Sequence, residues 1–325
     1  MSASAMESAA VTALLSVLHR IHQATERSGR SPDRVRVVAV SKTKPVDVIR
    51  RVYDAGHRCF GENYVQEIVD KAPQLPADIE WHFIGHLQSN KVKPLLGYAA
   101  KNKGYRVFNK RTMIIEESMN VTFDELNQQT IDDDDDEDIS TPSKASTEPE
   151  TETSYLESLP KRMKFMADHP KDLVIAAVPN LEMVETVDDK KIADRLDRVV
   201  ANLGRKPLKV LVQVNTSGEE SKFGVDPSGC VELAKHVKQG CTNLVFSGLM
   251  TIGMLDYSST PENFKTLSNC RTDVCEALGI PEEQCELSMG MSNDFEQAIE
   301  LGSTSVRIGS IIFGPREYPK KDNAQ

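Results

Sequence analysis

No CxxC pair occurs in this sequence, and its six cysteines (Cys59, Cys230, Cys241, Cys270, Cys275 and Cys285) lack the companion histidine spacing of a zinc module. A disulfide framework or a metal centre is therefore not expected, and reduced intracellular thiols are the plain reading. Long apolar runs are missing as well, none approaching the roughly 20 residues of a membrane span. Glu7 precedes any basic residue, and no cleavage-like segment follows an apolar stretch, so no secretory signal is read at the N-terminus. The expected location is the cytoplasm, with a mitochondrial pool also admitted. No basic stripe marks a nucleic-acid partner.

The formal charge of −10 over 325 residues is uneven. Residues 98–176 hold 10 Lys and Arg against 17 Asp and Glu, a net of −7, which leaves −3 for the remainder. Outside that stretch, short β-rich runs alternate with helical patterns, the signature of βα units around a parallel sheet. Strands are expected near 34–41, 58–63, 80–85, 181–187, 209–216, 244–251, 285–290 and 305–310. Helices are expected over 45–56, 188–204 and 260–279, and an amphipathic N-terminal helix over 5–27, with Leu14, Leu15, Leu18 and Ile21 on one face. Eight such strands favour an α/β fold of one domain, a (β/α)8 TIM-type barrel, over an open doubly wound sheet.

The alternation fails between the third helix and the fourth strand. Residues 98–176 contain the run DDDDDED (132–138) and the tract STPSKASTEPETETS (140–154). Such a composition buries too little apolar area to offset chain ordering, so a largely disordered insertion is expected, leaving the barrel's bottom face. The barrel then comprises residues 1–97 and 177–325. A long surface insertion is tolerable because loop-closure cost grows slowly with length.

Lys42, in VVAVSKTKP, directly follows an apolar strand at the end where barrel enzymes carry their chemistry. Partial desolvation there lowers an amine's pKa and makes it available for imine formation. A solvated strand-end lysine is the bland alternative, and Lys44 is the nearby competitor. Asn63, in FGENYVQE, ends the second strand, where a carboxamide positions a ring substituent without charge or simply caps a helix. His82 and His86 flank Gly85; without a third ligand they carry no metal, and an inward packing role for His82 is as good a reading.

In ELSMGMSNDFEQAIELGST, Ser288 closes the seventh strand, and Ser292 or Asn293 is placed to cap the next helix, with Asn293 and Glu296 at capping-box spacing. Gly309 and Ser310 follow the eighth strand, where barrels often bind phosphate. Arg307 lies within that otherwise apolar strand. A cation there is costly without a partner or a task. It either pairs with a carboxylate or faces the ring nitrogen of a bound cofactor and keeps that nitrogen unprotonated.

The blocks AVSKTKP, FGENYVQE, WHFIGHLQSNK, NTSGEESKFG, GLMTIG, LSMGMSNDFEQAIELGST and VRIGSIIFG together resemble the pyridoxal phosphate homeostasis protein family, in order and across roughly 240 residues outside 97–176. The resemblance implies a barrel similar to the N-terminal domain of alanine racemase and ornithine decarboxylase. It implies that Lys42 carries pyridoxal 5′-phosphate as an internal aldimine, with Asn63, Ser288, Ser292, Arg307, Gly309 and Ser310 completing the cofactor site. It further implies a non-catalytic role in vitamin B6 balance; an exposed site with no lid domain would let the aldehyde pass to apo forms of cofactor-dependent enzymes as recipients. A catalytic racemase or decarboxylase is the alternative; those enzymes usually bring a second domain, and only about a dozen residues follow the phosphate turn here. A barrel lacking that dimerising domain is expected to be a monomer. The insertion has its own likeness: GYAAKNKGYRVFNKRTMIIEESMNVTFDE (97–125) resembles a copia-type retrotransposon polyprotein downstream of its integrase core.

Overall fold

The computed structural model describes residues 3–99, 105–109, 114–118, 174–175, 177–219, 221–253 and 260–315. The chain divides into two compact units, residues 1–98 with 174–325, and residues 99–173.

In the first unit, eight parallel strands close into a barrel. They are β1 (Arg36–Val40), β2 (Cys59–Glu62), β3 (Glu80–Phe83), β4 (Leu181–Val187), β5 (Leu208–Gln213), β6 (Leu244–Met250), β7 (Glu286–Ser288) and β8 (Ser305–Ile308). Each pairs with its neighbours in sequence, and β8 closes on β1 with Ala39 opposite Ile308. The expected fold class is the one found. Strands β4, β5 and β6 are buried nearly end to end, as in a parallel sheet covered on both faces. Met183, Leu211 and Met250 fill the interior between them.

The covering helices are α1 (Ala3–Arg27), α2 (Val46–Asp54), α3 (Val65–Lys71), α4 (Val92–Leu96), α5 (Lys190–Asn202), α6 (Cys230–Lys235), α7 (Thr260–Leu278), α8 (Phe295–Glu300) and α9 (Ser310–Phe313). Their boundaries follow local chemistry. Asp189 caps α5 by accepting a hydrogen bond from Ile192 N at 2.6 Å, and Gly204 follows the helix at φ +59°, a conformation that costs glycine least. None of the helices among the described residues is long and apolar enough to cross a membrane.

Helix α1 packs against α2, α8 and α9 through Ala10, Leu14, Val17, Ile21 and Ala24. This corrects the expected face. Leu15 and Leu18 are 58% and 39% exposed. The buried residues repeat at alternating steps of four and three, the narrow stripe of a helix lying on other helices.

Within the second unit, Tyr105–Asn109 pairs antiparallel with Ile114–Ser118. The YRVFN and IIEES runs have the β-branched and aromatic content of strands. The acidic run 132–138 and the tract 140–154 lie outside the described residues.

Candidate functional site

Strand register brings the singled-out residues to one end of the barrel. Val40 lies opposite Gly61, so Lys42 and Asn63 leave adjacent strands at the same level. On the other side of β1, Val38 lies opposite Arg307, and Gly309 and Ser310 emerge just beyond. Ser288 ends β7 opposite Ser305 of β8. Apart from Arg307, which lies within β8, the singled-out residues sit at or beyond the C-terminal ends of the strands, the face on which barrel proteins build their sites.

The turn bearing Lys42 is held under strain. Thr43 adopts φ 61°, the left-handed region that a β-branched residue enters only under constraint. The constraint is visible below it. Lys71 of α3 is buried, and its Nζ donates to Ser41 O (3.0 Å), Glu62 Oε1 (2.8 Å) and Glu67 Oε2 (2.6 Å). Glu67 Oε2 also accepts from Thr43 N at 2.7 Å, and Ser41 Oγ donates to Glu62 Oε1 at 2.7 Å. The ammonium thus spends its three protons pinning both sides of Lys42. Burial pushes the Glu62 carboxyl up, and Lys71 opposes that rise. Lys42 itself is half-buried. Lys44 Nζ instead reaches Pro315 O at 2.8 Å, tying the turn to the end of α9.

Across the interior runs a second chain of polar groups. Arg307, 4% exposed, donates to Ser288 Oγ at 2.5 Å and to Thr251 O at 2.6 Å. Ser288 Oγ donates onward to Glu185 Oε2 at 2.6 Å, and Glu185 Oε1 pairs with His82 Nδ1 at 2.6 Å. Strands β4 and β7 are not neighbours, so the Glu185–Ser288 bond passes through the barrel's middle. Burial favours a neutral His82, yet Cys59 and the Glu185 carboxylate outweigh it and raise the imidazole pKa to about 10. Burial would push Glu185 up, but His82, Arg307 and Ser288 hold it below the usual carboxylate range. Burial lowers Arg307, opposed by Glu185 and Asp294.

The two histidines part company. His82 joins this chain, whereas the His86 ring stacks on Phe223 (centroids 3.6 Å apart) and its Nδ1 lies 3.4 Å from Asp188 Oδ2. Gly85 between them is obligatory, since a Cβ there would lie 1.9 Å from Asn63 O. The expected capping box is corrected too. Asp294, not Ser292 or Asn293, occupies the N-cap of α8, and its Oδ1 closes a turn with Met291 N at 2.6 Å. Glu296 is drawn off by Arg20 of α1, at 2.8 Å. Ser292 is half-buried in that turn, Ser310 is exposed as the first residue of α9, and Gly309 precedes it.

The arrangement sets an amine, a carboxamide, an interior cation and a glycine–serine turn toward one end of the barrel. Asn63 Oδ1 is buried without a hydrogen-bond partner, so one acceptor at this end can take a donor. An amine condenses with aldehydes, and backbone N–H groups at a turn suit an oxyanion. Sequence reasoning missed Glu185, Thr251 and Lys71. Glu185 carried no distinct signal, since LEMVETV holds a second acid, Glu182, which meets Lys209 instead.

Residues 156–317 match the model of the alanine racemase N-terminal domain, and residues 94–137 that of a retroviral polymerase SH3-like domain. The chain is 39% identical to the pyridoxal phosphate homeostasis protein of Mus musculus over 320 residues, which span 95% of this chain and 88% of that one. Among solved structures, a protein of unknown function from Bifidobacterium adolescentis superposes with a TM-score of 0.65 at 27% identity, over 96% of this chain and 98% of that one. PipY of Synechococcus elongatus with pyridoxal phosphate bound gives 0.55 at 25% identity, over 92% and 100%. The chain belongs to the pyridoxal phosphate homeostasis protein family.

Proposed function

We propose that this chain binds pyridoxal 5′-phosphate at the barrel mouth through Lys42 and serves vitamin B6 balance without metabolic turnover. The observation that carries the reading is the strained, braced turn placing Lys42 level with Asn63 and one strand from Gly309 and Ser310. The residues present fit the group. Asn63 Oδ1 lacks a partner, and the hydrogen-bonded interior chain holds two cations, His82 and Arg307, against the one carboxylate of Glu185.

When bound, the cofactor supplies an aldehyde for the lysine and an electron-withdrawing ring. Lys42 is the covalent anchor, Asn63 and Ser288 orient the ring, and Ser292, Gly309 and Ser310 hold the phosphate. Arg307, kept cationic beside Glu185, is the group to face the pyridine nitrogen and keep it unprotonated. An unprotonated ring is a weaker electron sink, which suits a carrier better than a racemase or decarboxylase. Assays of amino-acid racemisation, decarboxylation and transamination with the cofactor-loaded chain test this directly. No turnover above the free cofactor is expected, and robust turnover would overturn it.

The same reading assigns the chain to the cytoplasm, with a mitochondrial pool admitted, as a monomer whose recipients are apo forms of cofactor-dependent enzymes. Residues 98–176, within which the retroviral-type match largely falls, are assigned to a copia-type retrotransposon insertion between the third barrel helix and the fourth strand. Removing 98–176 should leave cofactor affinity within about twofold, read by fluorescence titration, because loop length costs little. Loss of binding would contradict a peripheral insertion.

A further inference from the structure

Away from the barrel mouth, three side chains of different chemistry converge on the outer layer. His236 Nε2 lies 2.6 Å from Asp194 Oδ1, and Cys241 Sγ lies 3.9 Å from the same oxygen. One donor atom from each of the three falls within 4.8 Å of the others. No ion is present there. Four-coordinate zinc has ligand bonds of about 2.0–2.3 Å, which places donors about 3.3–3.6 Å apart. The observed separations bracket that range.

The backbone accounts for the convergence. Residues His236–Gly240 form a π turn that continues α6. On an ordinary α-helix, residues five apart point about 140° away from each other. The wider i→i+5 closure of a π turn brings position i+5 back over position i, and such turns recur at functional sites. Here it brings Cys241 round to the side of His236. Asp194 lies on α5 in a neighbouring element, and one turn further along α5 Asp197 Oδ1 accepts from Asn243 N at 2.7 Å, fastening the segment after Cys241 to that helix. The three residues are thus held by two elements clamped together.

We propose that Asp194, His236 and Cys241 form a binding site for a single zinc-class divalent cation, with water as the fourth ligand. Imidazole, thiolate and carboxylate together form the borderline-soft set that zinc prefers over magnesium or calcium. On binding, Cys241 gives up its thiol proton to solvent, and His236 carries its ring proton on Nδ1 so that Nε2 faces the ion. The other charges facing the site are Glu232, one turn before His236, and Lys190, which pairs with it at 2.5 Å.

The test uses the purified full chain without cofactor, titrated with Co2+ and then with Zn2+. One equivalent of Co2+ should give a thiolate-to-cobalt charge-transfer band that Zn2+ abolishes. Cys241→Ser should remove the band. Asp194→Ala and His236→Ala, both outside the core, should weaken Co2+ binding at least about tenfold, the scale on which even outer-shell partners act. The absence of a band in the native chain overturns the site, as does its persistence in Cys241→Ser or its indifference to both surface variants. None of these readouts depends on pyridoxal phosphate, so the fate of the cofactor reading is separate.

Discussion

Two buried cations, Lys71 and Arg307, serve the same opening in different ways. Lys71 meets two carboxylates and a carbonyl directly, and its bonds hold Ser41 O, Thr43 N through Glu67, and the Ser41 hydroxyl through Glu62. Arg307 meets a hydroxyl and a carbonyl, and its nearest carboxylate oxygen, on Glu185, stands 4.0 Å away behind Ser288. Glu185 is shared with His82 as well. The first network carries more negative than positive members, the second more positive than negative. One braces a turn; the other holds two cations on one carboxylate inside the barrel.

The comparison breaks most visibly at Glu185. Glu185→Ala leaves His82 and Arg307 buried without their common carboxylate, and should cost about 3–5 kcal/mol in urea unfolding. Lys71→Met should cost about 3 kcal/mol, the lower end of that range, since Glu62 can take up a proton and Glu67 is partly solvated. The two variants should also differ in kind. Lys71→Met slows covalent capture of pyridoxal phosphate by loosening the turn, while Glu185→Ala alters the absorption spectrum of the bound form.

A smaller effect sharpens the contrast through pH. His82 is raised from an ordinary 6.5 to about 10, so its stabilisation is complete below about pH 6.5 and is lost as pH rises towards 10. Glu185 is held below its ordinary 4.5, so its stabilisation is present above that value and is lost as pH falls. Unfolding free energy should therefore peak between about pH 4.5 and 6.5. His82→Gln should flatten the alkaline limb.

The barrel was legible because parallel strands buried on both faces read as short apolar runs, and all eight lie where those runs are. Their ends were less so. Met289 and Gly290 stay buried after the β7 ladder has ended at Ser288, and nothing in residue type marks where pairing stops. Lys42, Asn63, Ser288 and Arg307 stood out as polar residues at or within strands. Glu185 did not, because Met183 to Val187 are all buried and such a run has no alternation to interrupt. Lys71 reads as an ordinary basic residue at a helix C-terminus; only its i,i+4 spacing from Glu67 hinted at a partner. Asp194, His236 and Cys241 are brought together by a π turn and by packing between helices, which no linear spacing rule records.

The most direct measurement compares native chain with Lys42→Ala after incubation with pyridoxal phosphate, borohydride reduction and peptide mapping. The native chain should carry one reduced cofactor adduct, on Lys42, and the variant should carry none above background. An adduct of undiminished yield in Lys42→Ala, on Lys44 or elsewhere, would contradict the assignment of the barrel mouth.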